Sequence, residues 1–270
     1  MPIYKPTELK EFLTSLGISP RKQLSQNFLI DGNIIRKIVS AAHVQKDEVV
    51  LEIGSGPGSL TEALLATEAK VIAVEKDPAL AQALHRFPQL EVFNNDILDL
   101  TLENILPSGK AKVVANLPYH VTTPILAKII PMHERFSECF VMVQEEVARR
   151  FVAFPGTAEY SSFTIFLNFF SDPTYLFPVS RNCFYPVPKV DSAVVCFALK
   201  EPPKINQEHF FSLTRTAFSQ RRKMLRASLK KLYPSETICE ALESLKISPQ
   251  ARPEELSLEQ WIAFAKRMKT

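Results

Sequence analysis

Short apolar runs alternate with amphipathic stretches through the first two thirds of the chain. The runs cover residues 49–53, 71–75, 91–95, 112–116 and 139–144. Parallel strands that are covered on both faces read as continuous apolar runs, so we predict buried strands at these places. Amphipathic segments such as "SLTEALLATEA" and "PALAQALHRF" lie between the runs and predict helices. The alternation predicts a βαβ series, and therefore an α/β fold with a doubly wound sheet.

The pattern changes in the last third of the chain. The segments "TYLFPVS" and "AVVCFALK" predict two further strands at an antiparallel edge of the sheet. From "EPPK" (201–204) onward, helical patterns are interrupted at Pro234, Pro249 and Pro253, which predicts a small C-terminal helical domain behind a proline-rich linker. We therefore expect two domains, residues 1–200 and residues 201–270.

The composition limits the class of protein. The chain has 270 residues, of which 46% are hydrophobic, enough for a substantial core. No run approaches the roughly 18 apolar residues of a membrane span, and the first residues lack the apolar stretch of a signal peptide. The four cysteines form no C-x-x-C pair, so neither a zinc site nor a disulfide framework is indicated. We expect a cytoplasmic protein without a membrane partner and without a metal.

Three of the 7 glycines, Gly54, Gly56 and Gly58, fall inside "EIGSGPGSLT", between a predicted strand and a predicted helix. Glycine there lets the backbone approach a ligand closely, and the helix N-terminus that follows favours an anionic group. The loop therefore predicts a nucleotide-like cofactor. As a dinucleotide fingerprint it is incomplete, because Ser59 stands where the third glycine belongs. A tight βα turn without a ligand is the alternative.

Polar residues follow the next three predicted strands. Glu75 ends the second strand, where a carboxylate can accept both hydroxyls of a ribose. Asp96, in "NNDIL", ends the third strand and can accept from an adenine amine. Asn116 ends the fourth strand and opens "NLPYHVTTPIL". Considered alone, Glu75 could be an ordinary solvated loop acid. Three successive strand ends, each with a polar group suited to adenosine, predict an adenosine site.

A basic segment without any Asp or Glu runs from His209 to Ser235. At helical spacing its cations fall on one side and an apolar stripe on another, which predicts a docked helix with a basic outer face. Such a face suits a phosphate backbone, while a solvated charged helix is the alternative. The candidate RNA-binding residues are Arg221, Arg222, Lys223 and Arg226. Because the net charge of the whole chain is only +3, any affinity for nucleic acid has to come from such local clustering of cations.

The motifs "EIGSGPGSLT", "VEKD", "NNDIL" and "NLPYHVTTPIL", in this order, resemble the class I S-adenosylmethionine-dependent methyltransferases, specifically the KsgA branch of the ribosomal RNA adenine N6-dimethyltransferases. Further matches are "QNFLID", "MVQEEVARR", "FYPVPKVDSAVV" and "AFSQRRKMLRASL", so the resemblance spans nearly the whole chain. It implies a Rossmann-like sheet, S-adenosyl-L-methionine as co-substrate and no metal. Departures from the family pattern are Ser25 before "QNFL" and "YSSFTI" at residues 160–165.

The resemblance also implies residue roles. The cofactor site would comprise Asn27, Leu29, Gly54, Gly56, Glu75, Asp96 and Asn116. Adenine N6 is a poor nucleophile because its lone pair is delocalised into the ring. We expect the Asn116 side-chain carbonyl and the Pro118 backbone carbonyl to accept hydrogen bonds from the two N–H groups of N6, which localises the lone pair on the nitrogen. Tyr119 offers a stacking face for the extruded base and Phe184 a second one.

The expected function is therefore N6,N6-dimethylation of two adjacent adenosines near the 3′ end of 16S ribosomal RNA. The substrate would be the immature small ribosomal subunit, and the enzyme a monomer that acts in ribosome biogenesis. Three alternatives stay open: a 23S ribosomal RNA dimethylase of the macrolide-resistance type, a mainly non-catalytic assembly factor, and a nicotinamide oxidoreductase. The incomplete fingerprint at Ser59 disfavours the last.

Overall fold

The computed structural model describes residues 3–20, 26–220 and 222–268. Ser25 and Arg221, both singled out above, lie outside the described residues. The chain forms two compact units, Met1–Ala148 with Asp172–Lys200, and Arg149–Ser171 with Glu201–Thr270. This division differs from the predicted one, because residues 149–171 belong with the C-terminal helices rather than with the sheet.

The first unit is built on a mixed sheet. The strands are β1 Phe28–Leu29, β2 Val49–Ile53, β3 Lys70–Val74, β4 Glu91–Phe93, β5 Ala111–Asn116, β6 Phe136–Gln144, β7 Ser171–Val179, β8 Phe184–Tyr185 and β9 Ser192–Leu199. Across the described residues, the large sheet has the order β4-β3-β2-β5-β6-β9-β7. Strands β2 to β6 pair in parallel and β9 pairs antiparallel with β6. The predicted doubly wound α/β fold is thereby confirmed.

Helices cover the sheet and form the second unit. They are α1 Pro6–Ser15, α2 Gly32–Ala41, α3 Ser59–Leu65, α4 Pro78–Leu84, α5 Thr122–Ile129, α6 Glu145–Phe151, α7 Ser162–Phe170, α8 Gln207–Phe218, α9 Leu225–Ser228, α10 Ser235–Ser244 and α11 Leu258–Arg267. Local chemistry sets several starts. The Asp77 side chain accepts from the N–H groups of Ala79 and Leu80, and Pro78 opens α4. Within the described ranges, none of these helices has the length and apolarity that crossing a bilayer requires.

The core of the first unit lies where the central strands meet the helices. Val50 of β2 and Val114 of β5 are fully buried, and Leu64 of α3 and Ile35 of α2 pack in the same cluster. Burial of such side chains stabilises each by about 1.5–3 kcal/mol. This packing fixes the carboxyl ends of β2 to β5 relative to one another.

Aromatic side chains hold the second unit together. Phe169 of α7 lies with its ring centroid 5.0 Å from that of Phe210 in α8, and Phe166 lies 5.3 Å from Phe211. Aromatic pairs at such distances add about 0.5–1.5 kcal/mol each beyond the area that they bury. The packing explains why residues 149–171 belong to this unit, although the chain around them builds the sheet.

The predicted single basic helix is wrong in one respect, because α8 ends at Phe218 and α9 begins only at Leu225. In a continuous helix the Leu225 N–H would bond four residues back, but here it donates to the Ala251 carbonyl at 2.9 Å. The predicted apolar stripe consists of Phe211, Phe218, Leu225, Leu229 and Leu232, and the last of these is 45% exposed. The basic residues Arg222, Lys223 and Arg226 are exposed nonetheless.

Candidate active site

A cavity lies at the carboxyl ends of β2, β3, β4 and β5. The predicted site residues that line it are Asn27, Gly54, Gly56, Glu75, Asp96, Asn116, Pro118 and Tyr119. Lining residues that the sequence analysis did not assign to the site include Gln26, Phe28, Lys76, Asn95 and His120. Most of these are immediate neighbours of a predicted residue, so their position next to a motif is the feature of the sequence that could have identified them.

Leu29 and Phe184 do not line the cavity. They are Cα partners across the short β1–β8 pair and are only 4% and 1% exposed, inside the main core. A buried ring cannot offer a face to a base, so this geometry argues against the predicted stacking role of Phe184. The two residues instead anchor the segment that carries Asn27 and Phe28 to the cavity wall.

The glycine-rich loop turns sharply at the end of β2. Gly54 and Gly56 have φ angles of 72° and 55°, in the left-handed region that favours glycine. A Cβ at Gly56 would lie 3.1 Å from the Phe28 ring. Phe28 therefore packs directly on this turn, which leaves backbone rather than side chain facing the cavity at this point.

Glu75 is buried and binds the backbone on both sides of the site. One carboxylate oxygen accepts from the Gly56 N–H at 2.8 Å and the other from the Asp77 N–H at 2.8 Å. Burial raises the pKa of Glu75 above its ordinary value, and these two hydrogen bonds oppose the rise. Each oxygen keeps one lone pair, so the carboxylate can still accept from a ligand hydroxyl.

Asp96 is held by its neighbours. Its Oδ2 lies 2.8 Å from Lys76 Nζ, and its Oδ1 accepts from the Leu98 N–H at 2.9 Å. Burial would raise the pKa of Asp96, but the hydrogen bonds from Lys76 and Leu98 outweigh it and lower the pKa. The carboxylate is therefore ionised at neutral pH.

Lys128 of α5 fixes the loop that carries Asp96. Its ammonium donates to the carbonyls of Ile97, Leu98 and Leu100, at 2.8, 2.8 and 2.5 Å. Three carbonyl acceptors satisfy all three N–H donors of an ammonium group. Lys128 thus joins the helix that follows the Asn116 motif to the loop that follows β4.

The Asn116 side chain has one orientation. Its Nδ2 donates to the Asn27 carbonyl at 3.1 Å. A carbonyl oxygen only accepts, so the amino group of the amide must face it and the amide oxygen is directed elsewhere. Since Asn116 lines the cavity, this bond presents an acceptor there. Asn27 therefore orients the group that the sequence predicts to be catalytic.

The Pro118 carbonyl is already occupied. It accepts from the Val121 N–H at 3.1 Å and from the Thr122 hydroxyl at 3.2 Å. A carbonyl has two lone pairs, so this geometry argues against its predicted role as an acceptor for substrate. The neighbouring Leu117 lines the cavity, and none of the described residues donates to its carbonyl.

Tyr119 is fixed at its hydroxyl. The oxygen lies 2.7 Å from Ser192 Oγ, and burial raises the pKa of the phenol. The hydroxyl is therefore protonated at neutral pH and keeps this hydrogen bond. The half-buried ring lines the cavity in a defined orientation, as a stacking platform requires.

The residues present fit an adenosine-containing cofactor. Glu75 and Asp96 supply carboxylate acceptors on neighbouring strand ends, and the loop between β2 and α3 supplies backbone. Acceptors for hydroxyl and amino groups, spread over an extended cavity, are what a nucleoside needs.

Glu52 lies beneath this loop and makes stability depend on pH. It is buried, accepts a 2.5 Å hydrogen bond from the Thr61 hydroxyl, and has its pKa raised by burial from 4.5 to about 7. The folded protein therefore binds this proton more tightly than the unfolded chain does. The resulting contribution to the free energy of unfolding is fully present below about pH 4.5 and is lost as the pH rises to about 7.

We predict that Glu52→Gln removes this pH dependence. Between pH 4.5 and 7, the free energy of unfolding of the unmodified protein should fall by about 3 kcal/mol relative to the variant. Denaturant titrations of both proteins at a series of pH values measure the difference. Parallel curves for the two proteins would show that Glu52 does not titrate in this range.

Three comparisons relate this chain to known proteins. A family model described as "Ribosomal RNA adenine dimethylase" matches residues 17–270. "Ribosomal RNA small subunit methyltransferase A" of Protochlamydia amoebophila (strain UWE25) is 62% identical over 272 residues, which cover 97% of this chain and 96% of that protein. The crystal structure of a dimethyladenosine transferase from Plasmodium falciparum has a TM-score of 0.75 at 28% identity, covering 88% of this chain and 95% of the other. That of the 23S rRNA methyltransferase ErmE has a TM-score of 0.68 at 28% identity, covering 90% and 99%.

Proposed function

Since the chain belongs to the ribosomal RNA adenine dimethylase family, we propose that it dimethylates N6 of two adjacent adenosines near the 3′ end of 16S ribosomal RNA, using S-adenosyl-L-methionine. The small-subunit substrate is favoured over the 23S alternative by identity, 62% to a small-subunit methyltransferase against 28% to a 23S methyltransferase. The observation that carries the chemistry is the Asn116 amide, whose oxygen the Asn27 carbonyl leaves available to a base.

The residues of the chain hold and orient the target amine. Asn116 Oδ1 accepts one N6–H bond and the Leu117 carbonyl accepts the other, in place of the occupied Pro118 carbonyl. Two acceptors on the amine draw its lone pair out of the ring and toward a tetrahedral arrangement. When bound, S-adenosyl-L-methionine supplies a methyl group that is already activated on a sulfonium centre. Alignment by these acceptors contributes several kcal/mol to lowering the barrier.

Tyr119 holds the extruded base. Its ring, fixed through the bond to Ser192, offers a stacking face that offsets part of the few kcal/mol that unstacking costs. After the first transfer the amine has one N–H left, so one of the two acceptors suffices to orient it. The pair of acceptors therefore serves both methylations of one adenosine.

The exposed cations after α8 contact the RNA backbone in this proposal. Arg222, Lys223 and Arg226 lie exposed in the second unit, and phosphate contacts of this kind position RNA without reading its sequence. Arg221 is proposed with them, from sequence alone. The protein acts in the cytoplasm as a monomer on the immature small subunit.

The test is methyl transfer from labelled S-adenosyl-L-methionine to under-methylated small subunits, with large subunits in parallel and nucleoside analysis afterwards. We expect N6,N6-dimethyladenosine in 16S RNA alone. Label in 23S RNA would favour the macrolide-resistance type of activity. Cofactor binding without any label would favour a non-catalytic assembly factor.

A further inference from the structure

The loop Pro186–Asp191, between β8 and β9, leaves apolar side chains in water. Among the described residues, the exposed large apolar side chains are Phe154, Val187, Val190 and Leu232. Two of them lie in this one short loop, with Val187 58% and Val190 44% exposed. Single exposed apolar residues are common, whereas two in one short loop form a small apolar surface that a binding partner can cover.

The loop is held in place rather than loose. Asp191 Oδ1 accepts from the Arg181 N–H at 2.9 Å, and the Asp191 carbonyl accepts from the Glu145 N–H at 3.0 Å. Arg181 also donates from Nη1 to the Lys189 carbonyl at 3.2 Å. The exposure of Val187 and Val190 therefore belongs to a defined conformation.

Both ends of the loop join residues that line the cavity. Ser192, directly after it, holds the Tyr119 hydroxyl at 2.7 Å. Tyr185, directly before it, is the Cα partner of Phe28. The loop thus continues the cavity rim between Phe28 and Tyr119, two of the walls around the proposed base site.

The charge of the loop suits a nucleic acid. The loop itself has one exposed cation, Lys189, and one acid, Asp191, and the exposed Arg181 that is bonded to it makes the local charge positive. An RNA strand whose target base enters the cavity must continue past the rim on either side. Its flanking nucleotides present an apolar base face and ribose together with an anionic phosphate.

We propose that this loop binds the nucleotide next to the target adenosine. Val187 and Val190 contact its base or ribose, and Lys189 contacts its phosphate. The inference rests on the proposed function and deepens it, because it assigns a second nucleotide position. In a substrate with two adjacent adenosines, that position holds the neighbour of the one being methylated.

The experiment compares the double variant Val187→Ser/Val190→Ser with Phe154→Ser, a matched loss of exposed apolar surface in the second unit. In single-turnover assays, we expect the double variant to need an about tenfold higher concentration of small subunits for half-saturation. Affinity for S-adenosylhomocysteine and the midpoint of urea unfolding should stay unchanged, and Phe154→Ser should behave as the unmodified protein. Unchanged half-saturation in the double variant overturns the inference.

A second variant tests the charge. Lys189→Met should reduce the slope of log affinity for the small subunit against log salt concentration by about 0.7, as expected for the loss of one phosphate contact to a single strand. Lys70→Met, at the start of β3 and thus at the opposite end of the strands, is the control and should leave the slope unaltered. An equal slope for Lys189→Met and the unmodified protein also overturns the inference. Failure of the unmodified protein to methylate small subunits would instead refute the proposed function.

Discussion

Replacement of Asn116 by alanine is expected to lower the single-turnover rate of methyl transfer by roughly 10²- to 10³-fold at saturating cofactor. The variant loses an acceptor that the Asn27 carbonyl holds in one orientation, before the substrate arrives. A fixed acceptor stabilises the transition state without reorganisation, which is why one such group is worth this much. Quenched-flow assays on under-methylated small subunits measure the rate.

The control for Asn116→Ala is Asn95→Ala. Asn95 also lines the cavity and also carries an amide, but it follows β4 rather than β5. Its loss should change the rate at saturating cofactor by no more than a few-fold. If Asn116→Ala and Asn95→Ala slow the reaction equally, the Asn116 oxygen has no special role. Retained affinity for small subunits confirms that the first variant is folded.

Replacement of Glu75 by alanine is expected to weaken S-adenosylhomocysteine binding by roughly 100-fold. The variant loses the proposed acceptor of the ribose hydroxyls, and charge-assisted hydrogen bonds contribute about 1.5–3 kcal/mol each. It also leaves the Gly56 and Asp77 N–H groups without their carboxylate partner, so the turn beneath the cofactor loses its anchor. Calorimetric titration measures the affinity, and urea unfolding should show a loss of about 1–3 kcal/mol per orphaned donor.

Two further variants serve as comparisons for Glu75→Ala. Glu75→Gln keeps the shape, but its amide has one acceptor oxygen and presents an amino group to the other backbone donor, so we expect little rescue. Glu91→Ala removes an exposed acid at the start of β4, away from the carboxyl ends of the strands, and should bind normally. Normal binding by Glu75→Ala would contradict the proposed ribose contact.

The strand ends were predictable from sequence because their signals are local. An apolar run followed by a polar residue places that residue at one edge of a parallel sheet, whatever the rest of the chain does. Glu75 directly follows β3, Asn116 ends β5 and Asp96 lies three residues after β4, and all three line the cavity. The neighbours that complete the lining follow from the same geometry.

What the sequence did not reveal depends on contacts between distant segments. Leu29 and Phe184 pair across the β1–β8 ladder, so neither lines the cavity, and no local pattern predicts that pairing. The break between α8 and α9 follows from the Leu225 bond to Ala251. Lys128 reads as a surface cation of α5, yet it binds carbonyls 28 to 31 residues earlier in the chain.

The division of the chain into two interleaved units has a consequence for how the protein can be synthesised and dissected. During translation, segments of the two units are synthesised alternately. Residues 149–171 are synthesised before the strands that complete the sheet, but they belong with the helices that are synthesised last. The aromatic face of α7 must therefore wait for Phe210 and Phe211 of α8. A truncation after residue 200 would leave that face without its partners. Exchanging a unit between relatives would require three junctions, after Ala148, Ser171 and Lys200, rather than one.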